Sequence, residues 1–295
     1  MSEMKFPVGI QQFEKLRQGG YVYIDKTKYI YDLVDRGCYY FLSRPRRFGK
    51  SLLMSTIEAY LSGRKDLFEG LALEKLETEW TQYPILHLDL NSQKYDTPEA
   101  LTEVLDETLT KWETVYGSND AEIGLGRRFG GVMQRAYEKT GRQVVVLIDE
   151  YDKPLLQAYG NDDLLNDYRG TLKAFYGNLK SCDKYIKFAL LTGVTKFGKV
   201  SVFSDLNNLM DISMDLRYAP ICGITEGELH DYFDNEIQLL AEAQKMTVEE
   251  TYAKLKEDFD GYHFHEDAEG MYNPFSILNT LAKRQFRDYW FETGT

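Results

Sequence analysis

Residues 38–62 read CYYFLSRPRRFGKSLLMSTIEAYLS: an apolar, aromatic-rich run, a basic loop, then a helix-forming segment opened by Gly49-Lys50-Ser51. This succession brings backbone N–H groups and the positive end of a helix to one point, the arrangement that holds anionic oxygens. In such a loop the lysine reaches terminal phosphates and the hydroxyl ligates Mg²⁺, so Lys50 and Ser51 are the first candidates. The usual spacing, G-x-x-x-x-G-K-S, wants glycine where the chain has Arg44, and Pro45 has no N–H to offer. The cradle is therefore expected to use the N–H groups of Arg46, Arg47, Phe48, Gly49, Lys50 and Ser51, with Leu52 in the same first turn.

A second motif comes about a hundred residues later, where the buried-strand pattern VVVLI ends in Asp149-Glu150. Two carboxylates at the C-terminal edge of one strand suit two tasks beside a bound nucleotide. Asp149 would hold Mg²⁺, and Glu150 would polarise an attacking water. A third run, IKFALL, ends in Thr192-Gly193-Val194-Thr195. If this strand lies between the P-loop strand and the acidic strand, Thr192 or Thr195 would sense the terminal phosphate. Asp89, at the end of ILHLDL, either joins the same edge or serves a turn.

Extended and helical patterns alternate through most of the chain, which predicts an α/β fold with a five-stranded, mainly parallel sheet covered by helices; with the phosphate loop and the acidic strand end, this reads as a P-loop NTPase of the additional-strand type. The expected strands are 38–42, 85–90, 144–148, 186–191 and 218–222. Helices are expected at 51–62, 98–116, 127–140 and 164–179, the second opened by Thr97 as a cap with Pro98 behind it. From Thr225 a further helical region, broken near Met246-Thr247, reads as a small lid, giving a core of residues 1–224 and an appended region of 225–295.

A net charge of −12 over 295 residues argues against a nucleic-acid platform. The densest basic cluster, Arg44, Arg46, Arg47 and Lys50, lies inside the phosphate loop. No apolar run approaches the roughly 18 residues that would span a bilayer, and MSEMKFPVGIQQF lacks the pattern of a secretory signal; a cytoplasmic location without membrane contact is expected. Cys38, Cys182 and Cys222 are expected to be reduced, buried thiols.

These motifs, with FPVGIQQFEKLRQGGYVYIDKTKYI, LIDEYDKP, LLTGVTKFGKVSVFSDLNNLMDIS, ICGITEGEL, DGYHF and YNPFSILN, resemble the bacterial AAA-ATPase-like family over nearly the whole chain. RPRRFGKS is that family's own form of the loop, so the missing glycine counts for less. The resemblance implies ATP or ADP with Mg²⁺ as ligands, and an attached C-terminal nuclease-like domain of the PD-(D/E)xK type, toward which the YNPFSILN and YWFETGT region leads. It also implies that the opening block packs beside the P-loop and helps form an adenine pocket, with Ile10 and Phe13 as contacts. Arg127, Arg128 and Arg217 are available as arginine fingers in a homo-oligomer. The Phe203–Asn208 block could touch nucleotide or a partner.

The first functional expectation is Mg²⁺-dependent ATP hydrolysis. A nucleotide-gated binding module with little turnover would carry the same motifs. A small-molecule kinase is disfavoured by the adjacent Asp149-Glu150 pair and the intervening sensor-like strand.

Overall fold

The computed structural model describes residues 4–196, 202, 203, 206 and 208–290. Its sheet has five strands: β1 (Tyr39–Ser43), β2 (Ile85–Asp89), β3 (Val144–Asp149), β4 (Ile186–Gly193) and β5 (Met210–Asp211). Every residue of β3 is buried, so both of its faces must be covered, the condition that favours a parallel sheet between helical layers. Successive side chains of a strand point to opposite faces. Accordingly Val144, Val146 and Ile148 enter one apolar layer with the helices Pro98–Tyr116, Leu125–Thr140 and Asp162–Tyr176, while Val145 and Leu147 enter the other, with Lys50–Leu61 and Thr27–Arg36.

The strand order is β2-β3-β4-β1-β5 and every pairing is parallel. β4 thus lies between the P-loop strand and the acidic strand, as expected. Register places Asp89 beside Asp149, and Leu42 and Ser43 beside Thr192 and Gly193. The polar strand ends therefore gather on one edge of the sheet, where α/β folds bind ligands.

The expected fifth strand is corrected. Residues Leu216–Ile221 form a 3₁₀ helix with Pro220 inside it, and β5 comes earlier, with Met210 and Asp211 opposite Tyr40 and Phe41. Pro220 has no N–H to give a ladder. The Asp215 side chain instead accepts from the Arg217 N–H and starts the turn.

The helix at Pro98–Tyr116 has the expected bounds, but the Thr97 hydroxyl does not cap it. Pro98 presets the first turn, and the Thr97 carbonyl accepts from the Tyr168 hydroxyl at 2.5 Å. The expected helix at 164–179 starts earlier, at Asp162, because Asn161 caps it through the Leu164 N–H, and a short helix, Asn178–Ser181, follows. Cys182 and Cys222 are buried, whereas Cys38 is exposed, since it precedes the first buried residue of β1.

The helical region after residue 225 is two helices, Glu226–Gln244 and Val248–Phe259, each opened by a capping box, Thr225 with Glu228 and Thr247 with Glu250. With the helix Pro274–Lys283 they enclose a separate apolar cluster around Phe233, Leu240, Leu255, Tyr272 and Ile277, onto which Phe6, Val22 and Ile24 of the N-terminal segment pack. Lys26 joins the two parts by a partly buried ion pair to Glu228, at 2.5 Å. No helix among the described residues is long and apolar enough to cross a membrane.

Candidate nucleotide site

At the end of β1 the chain turns through Arg44–Gly49 into the helix Lys50–Leu61. Arg47 and Gly49 both have positive φ, +64° and +95°, which bends the loop so that the helix start faces the sheet edge. A side chain at Gly49 would meet no atom within 4 Å, so the requirement there is conformational. Gly49→Ala is expected to lose about 1–2 kcal/mol of stability from the left-handed backbone alone, measured as a shift in the urea unfolding midpoint.

Arg44, at the place of the usual first glycine, is 1% exposed and works structurally. One terminal nitrogen donates to the carbonyls of Ser43 and Ser213, at 3.0 and 2.7 Å, and the other to those of Tyr218 and Ala219, at 3.1 and 3.3 Å. Its guanidinium lies 3.8 Å from the centre of the Phe264 ring. Burial lowers its pKa to about 10. This one side chain binds the loop to the 3₁₀ segment and to the region after residue 260.

Phe48 packs with Ala219, Phe264 and Met271, and its carbonyl accepts from the Gly223 N–H at 3.2 Å. Its side chain is thus an anchor and does not face the site. Arg47 stacks on Phe275, with 4.1 Å to the ring centre.

Lys50 is buried. Its ammonium donates to the carbonyls of Arg44 and Pro45, at 3.1 and 3.3 Å, and lies 3.3 Å from Glu150 Oε1. Glu150 itself has φ +56°, a left-handed backbone that costs a non-glycine residue energy and is held only where surroundings dictate it. Burial raises the Glu150 pKa; Lys50 opposes this, and Asp149 and Asp152 add to it.

Asp149 is buried, and its Oδ1 accepts from the Thr192 hydroxyl and from the Glu150 N–H. Thr195 donates elsewhere, from Oγ1 to Asp152 at 2.9 Å. Asp152, which the sequence reading passed over, is wholly buried and accepts from the Val194 and Thr195 N–H groups at 3.1 and 2.8 Å. It ties the exit of β4 to the exit of β3. That closeness needs Gly193, where a Cβ would sit 2.5 Å from the Tyr151 ring and 2.8 Å from Asp152.

Beside these groups lies a cavity of about 440 Å³. Arg46, Arg47, Gly49, Lys50, Ser51, Leu52 and Glu150 line it, with Ile10 among the residues from Pro7 to Gln11 on one wall and Pro274, Phe275 and Leu278 on another. The N-terminal wall is pinned to the P-loop helix through Ser55, which donates to the Gln11 carbonyl and accepts from the Phe13 N–H, both at 2.9 Å. Phe13 is corrected as a cavity contact: its ring is wholly buried against Tyr23 and Phe68. Asp149, Thr192 and Thr195 are not among the residues that line the cavity.

Asn91, Lys153 and the Pro274–Leu278 wall were not foreseen. They arrive from segments far apart in the chain, and no local pattern marks them.

Asp89 is exposed and accepts from the Asn91 N–H, a turn role. Arg128 is engaged by Glu113 and Asp106, and Arg217 by Asp215; neither these nor Arg127 lines the cavity. Within the Phe203–Asn208 block, Phe203 and Leu206 are core residues, and Ser204, Asp205 and Asn207 lie outside the described residues.

A family model, "Predicted AAA-ATPase", matches residues 7–203. The "Uncharacterized protein in vnfD 5'region" of Azotobacter chroococcum mcd 1 is 39% identical over 297 residues, covering all of this chain and 55% of that protein. The chain thus spans about half the length of this curated relative. No solved structure matches this chain. The matched residues include the phosphate loop, the acidic strand end and β4 between their strands, and on that footing the chain belongs to the AAA-ATPase-like family.

Proposed function

We propose that the chain binds ATP with Mg²⁺ in this cavity and hydrolyses it. The observation that carries the reading is the meeting, on one cavity, of the Gly49-Lys50-Ser51 helix start with the Glu150 carboxylate at the end of β3. Ser51 lines the cavity and its hydroxyl would ligate Mg²⁺ directly, while Asp149, buried and outside the lining, would hold the ion through a bound water; both are hard oxygen donors of the kind Mg²⁺ takes. This ion completes its shell with waters and phosphate oxygens, so the pair suffices although no group of three or more His, Cys, Asp or Glu among the described residues is placed for a metal. When bound, the ion would neutralise phosphate charge.

The chain's own residues supply the rest. The N–H groups from Arg46 to Ser51 receive phosphate oxygens at the helix start. Lys50 exchanges the loop carbonyls and Glu150 for the terminal phosphates. Glu150, released from that ion pair and held in a water-poor setting that raises its proton affinity, orients a water and takes its proton. The water oxygen bonds to the γ-phosphorus as the bond to the β–γ bridging oxygen breaks, giving ADP and inorganic phosphate. Apolar Ile10, Leu52 and Leu278 with Phe275 give the base a surface for stacking.

The cytoplasm, where ATP is abundant, is the fitting compartment. The remaining length of the relative is room for a partner domain; by the resemblance, that domain is nuclease-like, and the ATP cycle powers or regulates it. Lys50→Ala is expected to weaken MgATP binding roughly 10–100-fold, since it removes a charged contact worth about 1.5–3 kcal/mol and leaves Glu150 facing the phosphates unpaired. Titration calorimetry reads this directly; unchanged affinity would place the nucleotide elsewhere.

A further inference from the structure

Resting on that reading of the cavity, we propose that Lys153, steered by Asn91, is a second γ-phosphate cation supplied by the same chain, in the role that an arginine finger from a neighbouring subunit could otherwise fill. Lys153 Nζ donates to Asn91 Oδ1 at 3.0 Å, and both residues line the same cavity as Arg46, Lys50, Ser51 and Glu150. Asn91 follows β2 on the same sheet edge as Asp149, and Lys153 follows Glu150 through one turn, with its N–H donating to the Glu150 carbonyl at 2.9 Å. The two come from different segments, the turn after β2 and the helix start after Glu150, and meet at the cavity that Glu150 lines.

Three observations separate this contact from an ordinary surface pair. First, the partner of Lys153 is a neutral amide, and among the described residues no carboxylate lies within ion-pair distance of its ammonium, so its charge remains available. Second, Lys153 opens the short helix Lys153–Gln157. A cation at a helix start opposes the backbone dipoles, so helix stability does not explain the choice of lysine. Third, Arg46, Arg47, Lys50 and Lys153 face this one cavity with Glu150 as the carboxylate among its lining residues, in a chain of net charge −12. Such a concentration of positive charge suits a polyphosphate and focuses its field there. The P-loop cations approach from the side of the bridging oxygens. Lys153 approaches from the Glu150 side, where charge grows on the transferring phosphoryl group. Among the residues lining this chain's own cavity, no arginine beyond Arg46 and Arg47 of the loop is present, so Lys153 is the cation there that comes from outside the phosphate loop.

The test compares wild type with Lys153→Met, Lys153→Arg and Asn91→Ala. Lys153→Met is expected to lower kcat by roughly 10²–10³-fold, with Lys153→Arg recovering part of the loss and Asn91→Ala showing a smaller one. A second readout is binding without turnover: in a Glu150→Gln background, Lys153→Met should weaken ATP about tenfold while leaving ADP affinity within about threefold. Specific activity of wild type should stay constant on dilution. Wild type that hydrolyses ATP while Lys153→Met keeps its kcat and its ATP-over-ADP preference overturns this inference alone. Restored turnover on mixing Lys153→Met with Lys50→Ala chains also overturns it, by showing that the cation acts between subunits. A wild type that neither binds nor hydrolyses MgATP defeats the underlying reading of the cavity.

Discussion

Glu150→Gln is expected to lower the rate of ATP hydrolysis by roughly 10²–10⁴-fold, the range that general-base catalysis contributes, while MgATP affinity stays equal or improves. Glutamine has nearly the same size and the same tolerance of the φ +56° backbone, so the turn after β3 should survive. It can still accept a hydrogen bond from Lys50, now 3.3 Å from the carboxylate, but it cannot take a proton from water. It also removes a negative charge that would otherwise repel the phosphates, which is why binding is expected to hold. Steady-state phosphate release and equilibrium titration on the same preparation separate the two effects. If Glu150 were only a counter-ion for Lys50, the variant would keep turnover within about tenfold of wild type.

The second large effect concerns the residue that makes this phosphate loop unusual. Arg44→Gly restores the familiar spacing and is nevertheless expected to cost about 3 kcal/mol of stability. Four carbonyls, those of Ser43, Ser213, Tyr218 and Ala219, lose a charged donor, and hydrogen bonds to charged groups contribute about 1.5–3 kcal/mol each. Against this, removing a buried cation relieves its desolvation, which is large enough to lower its pKa to about 10; the net loss is therefore well below the sum. Arg44→Lys should recover little, because an ammonium lacks the planar fork that reaches carbonyls on two sides and stacks 3.8 Å from the Phe264 ring centre. Urea unfolding gives the values. A stabilised glycine variant would mean that Arg44 is tolerated strain and not the bolt between loop and 3₁₀ segment.

Much of the frame could be read from local pattern. β1, β3 and β4 are short runs of branched or aromatic residues bounded by polar ones, and the capping boxes at Thr225 and Thr247 mark their helices in four letters each. The position of β4 between β1 and β3 is the one that the additional-strand type requires, and the threonine-bearing end of IKFALL is the local sign of it. Where the reading failed, a single residue decided the matter against the pattern. Pro220 turned an apolar run into a 3₁₀ helix, and the true edge strand is only the pair Met210–Asp211, too short to show alternation.

The site divided the same way. Lys50, Ser51 and Glu150 sit in contiguous motifs and line the cavity; Ile10 lines it too, while Phe13, three residues on, turned into the core. Asn91, Lys153, Phe275 and the locking carboxylate of Asp152 are made significant by contacts across the fold: Lys153 bonds to a residue 62 positions away, and Asp152 holds Thr195, 43 positions away. No window of sequence contains such a pair.

The decisive chemistry lies at the Glu150 side of the cavity. The most direct measurement is single-turnover phosphate release: excess wild-type chain is mixed with labelled ATP and Mg²⁺, and free phosphate is followed against time, with Glu150→Gln and a chelator in parallel. The account predicts release by wild type with Mg²⁺ and almost none in either control. Tight binding of ATP with no phosphate released by wild type would contradict it, and would leave the cavity as a nucleotide-gated switch.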